Sequence, residues 1–154
     1  MLIIFTIISA VSYTSAVSKN ISNGVFRLHV IANSDSEEDQ SLKYIVRDNL
    51  INYMNTLTEN ISSKEEAMEI AKQHEQDFYE IAKNTVQEYG YNYDIKIEIG
   101  NFYFPTKYYG DISLPAGYYD ALKVEIGQAA RSKLVVCYVS ASMLCRYVNR
   151  YCSR

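Results

Sequence analysis

Arg27 and His29 stand at alternate positions of the run Val25-Phe26-Arg27-Leu28-His29-Val30-Ile31-Ala32. In an extended chain their side chains therefore share one face. Asn33, Asp35 and Asp39 follow just past the end of that run. An imidazole poised beside carboxylates moves protons near neutral pH, so this group is the sequence's candidate for general acid–base chemistry. No nucleophile accompanies it. The same residue types also make a hydrogen-bonded network tying strand to helix, or a patch that meets a partner. The sequence contains no Gly-rich phosphate loop, nucleophile elbow or His-Glu-x-x-His zinc motif. His74 falls on an apolar helix stripe, where a core histidine is the commoner reading, and Glu37, Glu38 and Asp39 have a sufficient reason in the first turn of a helix. No cofactor, metal or catalytic residue is expected.

The elements that must position these groups follow from periodicity. Val25 to Ala32 is β-branched and apolar and is broken by Asn33-Ser34-Asp35, which predicts a strand. Ser36-Glu37-Glu38-Asp39 resembles a capping box opening a helix to about Leu57. Its core stripe is Leu42, Ile45, Val46, Leu50, Tyr53, Met54 and Leu57, leaving Lys43, Arg47 and Asp48 mainly outside. Ser63-Lys64-Glu65-Glu66 opens a second helix, with Ala67, Ile70, Ala71, His74, Phe78, Ile81, Thr85 and Tyr89 inward and Gly90 as terminator. Tyr93 to Ile99 alternates strictly, Phe102 to Tyr109 reads as a paired strand with Pro105 at an edge or bulge, and Tyr118 to Ile126 alternates again. The order predicts an α+β fold: an antiparallel or mixed β-sheet with two helices packed on one face.

A length of 154 residues suits one domain with appendages. Fifteen basic against eighteen acidic residues, scattered along the chain, leave no footprint for nucleic acid. Fifteen tyrosines suit half-wet sheet faces or contact surfaces. The patch Tyr103, Phe104, Tyr108, Tyr109, Tyr118 and Tyr119 is either a sheet face or a recognition surface. The apolar run at the start, ending in Thr14-Ser15-Ala16, predicts a signal peptide or N-terminal membrane anchor over 1–20. Cys137, Cys145 and Cys152 match no zinc or redox spacing.

Longer matches are more specific. Phe26 to Ser36, Asp39-Gln40, Leu42-Lys43 and Val46-Arg47-Asp48 resemble the opening signature of the stage II sporulation protein R family. Phe104-Pro105-Thr106-Lys107, Tyr109-Gly110, Leu114 to Tyr118 and Ala121 to Ala130 are similar to its second signature. The resemblance delimits a domain over 24–130 and implies a non-enzymatic signal. Such a protein is made in the forespore, secreted across its membrane into the intermembrane space, and activates the mother-cell membrane aspartic protease that processes pro-sigma-E. The candidate organising or partner-contact residues are Arg27, His29, Asn33, Asp35, Asp39, Lys43, Arg47, Asp48, Lys107, Tyr109 and Tyr118. A cell-envelope hydrolase using His29 with nearby carboxylates, or a generic extracellular interaction domain, are the alternatives. After Ala130 the family pattern continues Asn-Trp-Trp-Cys-Val, whereas this chain has Lys133-Leu134-Val135-Val136-Cys137. A one-base shift of frame connects the two, so 131–154 is expected to be an out-of-frame tail and the terminal strand of the sheet lost.

Overall fold

The computed structural model describes residues 4, 6, 24–59, 61, 63–109, 112–128 and 135–139, the side chains of 109, 112 and 135–139 excepted. In chain order the elements are β1 (Phe26–Ile31), α1 (Glu37–Leu57), α2 (Lys64–Gln73), α3 (Glu75–Glu88), β2 (Ile95–Phe104), β3 (Lys107–Tyr109), β4 (Ile112–Leu114), β5 (Gly117–Ile126) and β6 (Val135–Val139). The main sheet has the order β2-β5-β1-β6, and β3 and β4 form a separate two-stranded hairpin. β5 runs antiparallel to β2 but parallel to β1, so the sheet is mixed and the fold α+β.

Side-chain alternation gives the sheet two different faces. Phe26, Leu28 and Val30 of β1 and Leu122, Val124 and Ile126 of β5 join Leu42, Val46, Leu50, Phe78 and Val86 of the helices in one apolar core. Burying each such side chain contributes about 1.5–3 kcal/mol. The opposite face carries Arg27 and His29, in register with Ala121 and Lys123 of β5. α1 begins where Ser36 accepts the Asp39 N–H at 3.2 Å, and α2 where Ser63 accepts the Glu66 N–H at 3.2 Å. Both helix starts stand where the capping signals predict them.

Several expectations change. The helix expected from Ser63 to Tyr89 is divided at His74, whose φ of −103° and ψ of 18° leave the helical region. The bonds Ile70 C=O to His74 N–H and His74 C=O to Phe78 N–H run through the break, making α2 and α3 one bent rod. Tyr89 is exposed rather than inward, while Ala82 and Val86 are buried. Lys43 and Arg47 are buried, not left outside the stripe of α1; their stems pack while their head groups are hydrogen-bonded, which a polar/apolar reading misses. The strand expected through Phe102 to Tyr109 ends at Phe104, because Pro105 donates nothing to a ladder and the chain turns there.

The loss of the terminal strand is also corrected: β6 pairs antiparallel with β1, Val139 opposite Phe26 and Val135 opposite Val30. Val135-Val136-Cys137-Tyr138-Val139 is β-branched and aromatic, and an open edge of unpaired N–H and C=O groups accepts any such segment. Cys145, Cys152 and most of 1–20 lie outside the described residues.

Candidate functional site

The family-like residues separate into two constructions. The first is a clasp at the exit of β1. The Asp39 carboxylate accepts from Asn33 Nδ2 at 3.0 Å and Ser34 Oγ at 2.6 Å on the same oxygen. Gln40 Nε2 donates to the Ser34 carbonyl at 2.8 Å. On its other side Asn33 Oδ1 accepts the backbone N–H of Gln128 at 3.0 Å, and the Gly127 N–H donates to the Asp94 carbonyl at 2.7 Å. Gly127 has φ +66°, and a Cβ there would lie 2.8 Å from Asn33 Cγ, so only glycine fits the seat. Burial raises the Asp39 carboxyl, but hydrogen bonds from Ser34, Asn33, Tyr93 and Ser36 outweigh it and hold the group below the usual carboxylate range. The Asp39 charge is thus spent within the clasp. Asp35, which sequence grouped with it, is exposed.

The second construction lies on the sheet face away from the helices. The Arg27 guanidinium is fully buried, with its central carbon 4.2 Å from the Phe104 ring centroid and 4.7 Å from that of Tyr119. The two rings meet edge-on at 6.1 Å with 70° between their planes, so the guanidinium lies in the corner they form, a favourable place for a cation where water is excluded. The His29 ring meets Phe104 edge-on at 5.3 Å. Tyr119 Oη donates to the Pro115 carbonyl at 2.7 Å, and Thr106 Oγ1 accepts the Ala116 N–H at 3.0 Å, fastening the β3–β4 hairpin to the box. Desolvation, then the charges of Lys123 and Arg27, lower the His29 pKa to about 4 against a weaker opposing pull from Glu125. Its Nε2 is buried without a hydrogen-bond partner. A neutral imidazole with so low a pKa is a poor base near neutrality, and Asp39 is engaged by Asn33 and Ser34 instead. The arrangement packs and orients the groups it gathers.

The other candidates stand apart. On α1, Lys43 Nζ donates to Gln40 Oε1 and lies 5.1 Å from the Tyr44 ring. Arg47 covers the same ring at 4.9 Å and pairs with Asp48 at 2.6 Å. Lys107 and Tyr109 lie on β3, the Tyr109 side chain outside the described residues. Neither reading of the tyrosine patch holds for all of it. Phe104 and Tyr119 are buried, whereas Tyr103, Tyr108 and Tyr118 are 61 %, 77 % and 67 % exposed. Tyr103 and Tyr118 meet edge-on at 5.4 Å.

Sequence reasoning missed two further groups. Lys123 Nζ lies 3.2 Å from Glu98 and 2.5 Å from Glu125, and Lys96 lies 2.9 Å from Glu98, a charge ladder across β2 and β5. Strict alternation in both strands was the signal for it. At the bend between α2 and α3, Asp77 Oδ2 accepts from Tyr53 Oη at 2.7 Å and lies 2.6 Å from His74 Nδ1; the i, i+3 spacing of His74 and Asp77 was legible, and the reach of Tyr53 was not. Among the described residues no group of three or more His, Cys, Asp or Glu side chains is placed to hold a metal ion.

A small α+β domain whose distinctive polar residues are consumed in a turn clasp and a cation–aromatic box is the class of protein defined so far. The family model described as stage II sporulation protein R matches residues 22–145. The chain is 36 % identical over 107 residues to the stage II sporulation protein R of Bacillus subtilis (strain 168), covering 70 % of this chain and 48 % of that protein. The chain belongs to the stage II sporulation protein R family. It spans about half the length of the curated relative it matches. No solved structure matches it.

Proposed function

We propose that the chain is an exported signal of endospore formation that switches on the mother-cell membrane aspartic protease processing pro-sigma-E. It is made in the forespore and secreted into the intermembrane space, touching the membrane only through its N-terminal segment. It acts as activator and not as enzyme. Family membership supports the sporulation role. The observation that carries the activator reading is the use made of the signature residues. Asn33, Asp39, Arg27 and His29 hold the scaffold, and Tyr103, Tyr108 and Tyr118 are left exposed for recognition. The test is cleavage of pro-sigma-E by the protease reconstituted in vesicles, with and without the chain. Added chain is expected to raise cleavage; no effect from a version carrying the family-type C-terminus sinks the reading.

We infer also that 131–154 is read one base out of frame, although the family match runs through to residue 145. If Lys133 to Cys137 are encoded AAA TTG GTG GTG TGT, the frame one base later reads Asn-Trp-Trp-Cys, the family-like run. Nucleotide sequence decides it: other codons at Leu134 to Val136 overturn the inference.

A further inference from the structure

β2 ends the sheet, and among the described residues nothing pairs with its outer edge. It is ten residues long with no proline inside it, so it lacks two of the usual protections of an edge and presents a row of backbone donors and acceptors. Its side chains sort by face. Ile95, Ile97 and Ile99 lie on the helix side, where all three pack against the apolar core. Lys96 and Glu98 lie on the other side, 63 % and 40 % exposed.

We propose that this edge is a self-complementary interface on which a second copy of the chain adds its own β2, antiparallel, to make one continuous sheet. A two-fold axis perpendicular to the sheet keeps each face on its own side, so only residues of equal parity can oppose one another. Centring the axis on Ile97 sets Ile97 against Ile97, Ile95 against Ile99, and Lys96 against Glu98 twice over. Moving the centre by one residue opposes Glu98 to Glu98 or Lys96 to Lys96, and like charges directly opposite destabilise a strand pair. Centring on Ile99 puts Lys96 opposite Phe102 and leaves no ion pair. Centring on Ile95 would give Lys96 an opposite charge only from Asp94, outside the strand, so within β2 the Ile97 register is the one that matches both the apolar stripe and the charges. The two helix layers then lie on the same side of the joint sheet.

Sedimentation of the full chain from about 1 to about 100 µM reads the proposal, since a single strand pair belongs to the small, transient class of interfaces. The expected result is a concentration-dependent monomer–dimer equilibrium. Lys96→Glu opposes Glu to Glu, and Glu98→Lys opposes Lys to Lys; each variant alone is expected to dimerise at least about tenfold more weakly. Mixed, the two variants restore both ion pairs and are expected to form a heterodimer. Both substitutions sit on exposed side chains, and far-UV circular dichroism of each separates lost pairing from lost folding. A wild-type chain monomeric throughout the range, single variants that dimerise as the wild type does, or a mixture that stays monomeric overturns the proposal.

Discussion

Asn33 Oδ1 accepts the Gln128 N–H at 3.0 Å across ninety-five residues of sequence. This bond fastens the end of β1 to the end of its parallel neighbour β5, and Gly127 supplies the positive-φ turn that brings the N–H into reach. Asn33→Ala removes the acceptor from the Gln128 N–H and a donor from Asp39, at an expected cost of about 1–3 kcal/mol. Gly127→Ala is expected to cost at least as much, because its Cβ collides with Asn33 and its backbone is strained. Since the collision is with the side chain that Asn33→Ala deletes, the double variant loses less than the sum. Urea unfolding of the four proteins checks this; strict additivity contradicts the clasp.

Asp39 carries the charge of the same clasp, and its folded-state pKa is depressed. Its stabilisation is complete above the ordinary aspartate value of about 4 and is lost as the pH falls toward the lower folded value. Asp39→Asn sets an amide N–H or a neutral oxygen against donors from Asn33 and Ser34, so it destabilises at pH 7 by about 1–3 kcal/mol. The gap between wild type and variant is expected to narrow near pH 3. A gap unchanged between the two pH values rules out the charged carboxylate as its cause.

How much of this was readable from the chain depended on how local the cause was. Ser36 and Ser63 cap helices through bonds three residues long, and the alternation of Ile95, Ile97 and Ile99 fixes a strand face by itself, so these elements were legible. The parallel pairing of β1 with β5 joins residues about ninety positions apart and leaves no local trace. Lys43 and Arg47 were misplaced because a charged head on a helix reads as solvated, whereas here Gln40, Tyr44 and Asp48 partner the head groups and the stems are buried. Arg27 and His29 were correctly set side by side, but their chemistry was not legible. It is decided by Phe104 and Tyr119, which come from β2 and β5.

The low pKa of His29 predicts a second pH window. Its folded value of about 4 lies below the ordinary histidine value of 6.5. The unfolded chain therefore takes up the proton first, and stability falls as the pH drops from 6.5 to 4, by a full amount on the order of 3 kcal/mol. His29→Gln is expected to flatten that part of the profile while keeping the fold. It is also expected to leave protease activation intact, since an organising ring can be replaced and a proton-transferring one cannot. Loss of activation with an unchanged fold returns His29 to the list of catalytic candidates.

Arg27→Lys tests the box by geometry at constant charge. Lysine brings a compact, strongly hydrated ammonium in place of the broad guanidinium that lies against both Phe104 and Tyr119. The expected destabilisation is about 1–2 kcal/mol, with a change in the near-ultraviolet circular dichroism of the ring contacts. A variant as stable as wild type removes the cation–aromatic corner from the account of the fold.

The bend at His74 supplies a spectroscopic prediction. The hydrogen bond to Asp77, then burial, push the Tyr53 hydroxyl up to about 12, because ionising it would place two negative charges on one hydrogen bond. Asp77→Asn keeps the shape and removes the charge, so the Tyr53 ionisation is expected to move back toward the ordinary value of about 10. Carbon NMR of ring-labelled tyrosine resolves Tyr53 from the other fourteen as the one resonance that shifts its titration in the variant. His74→Ala gives the complementary readout: it removes a ring whose Nδ1 lies 2.6 Å from Asp77 and 3.2 Å from the Tyr53 hydroxyl, and is expected to leave the raised Tyr53 pKa in place, because Asp77 and burial are its causes. If Asp77→Asn leaves every tyrosine titration unmoved, the bent rod is held by helix packing alone and not by this contact.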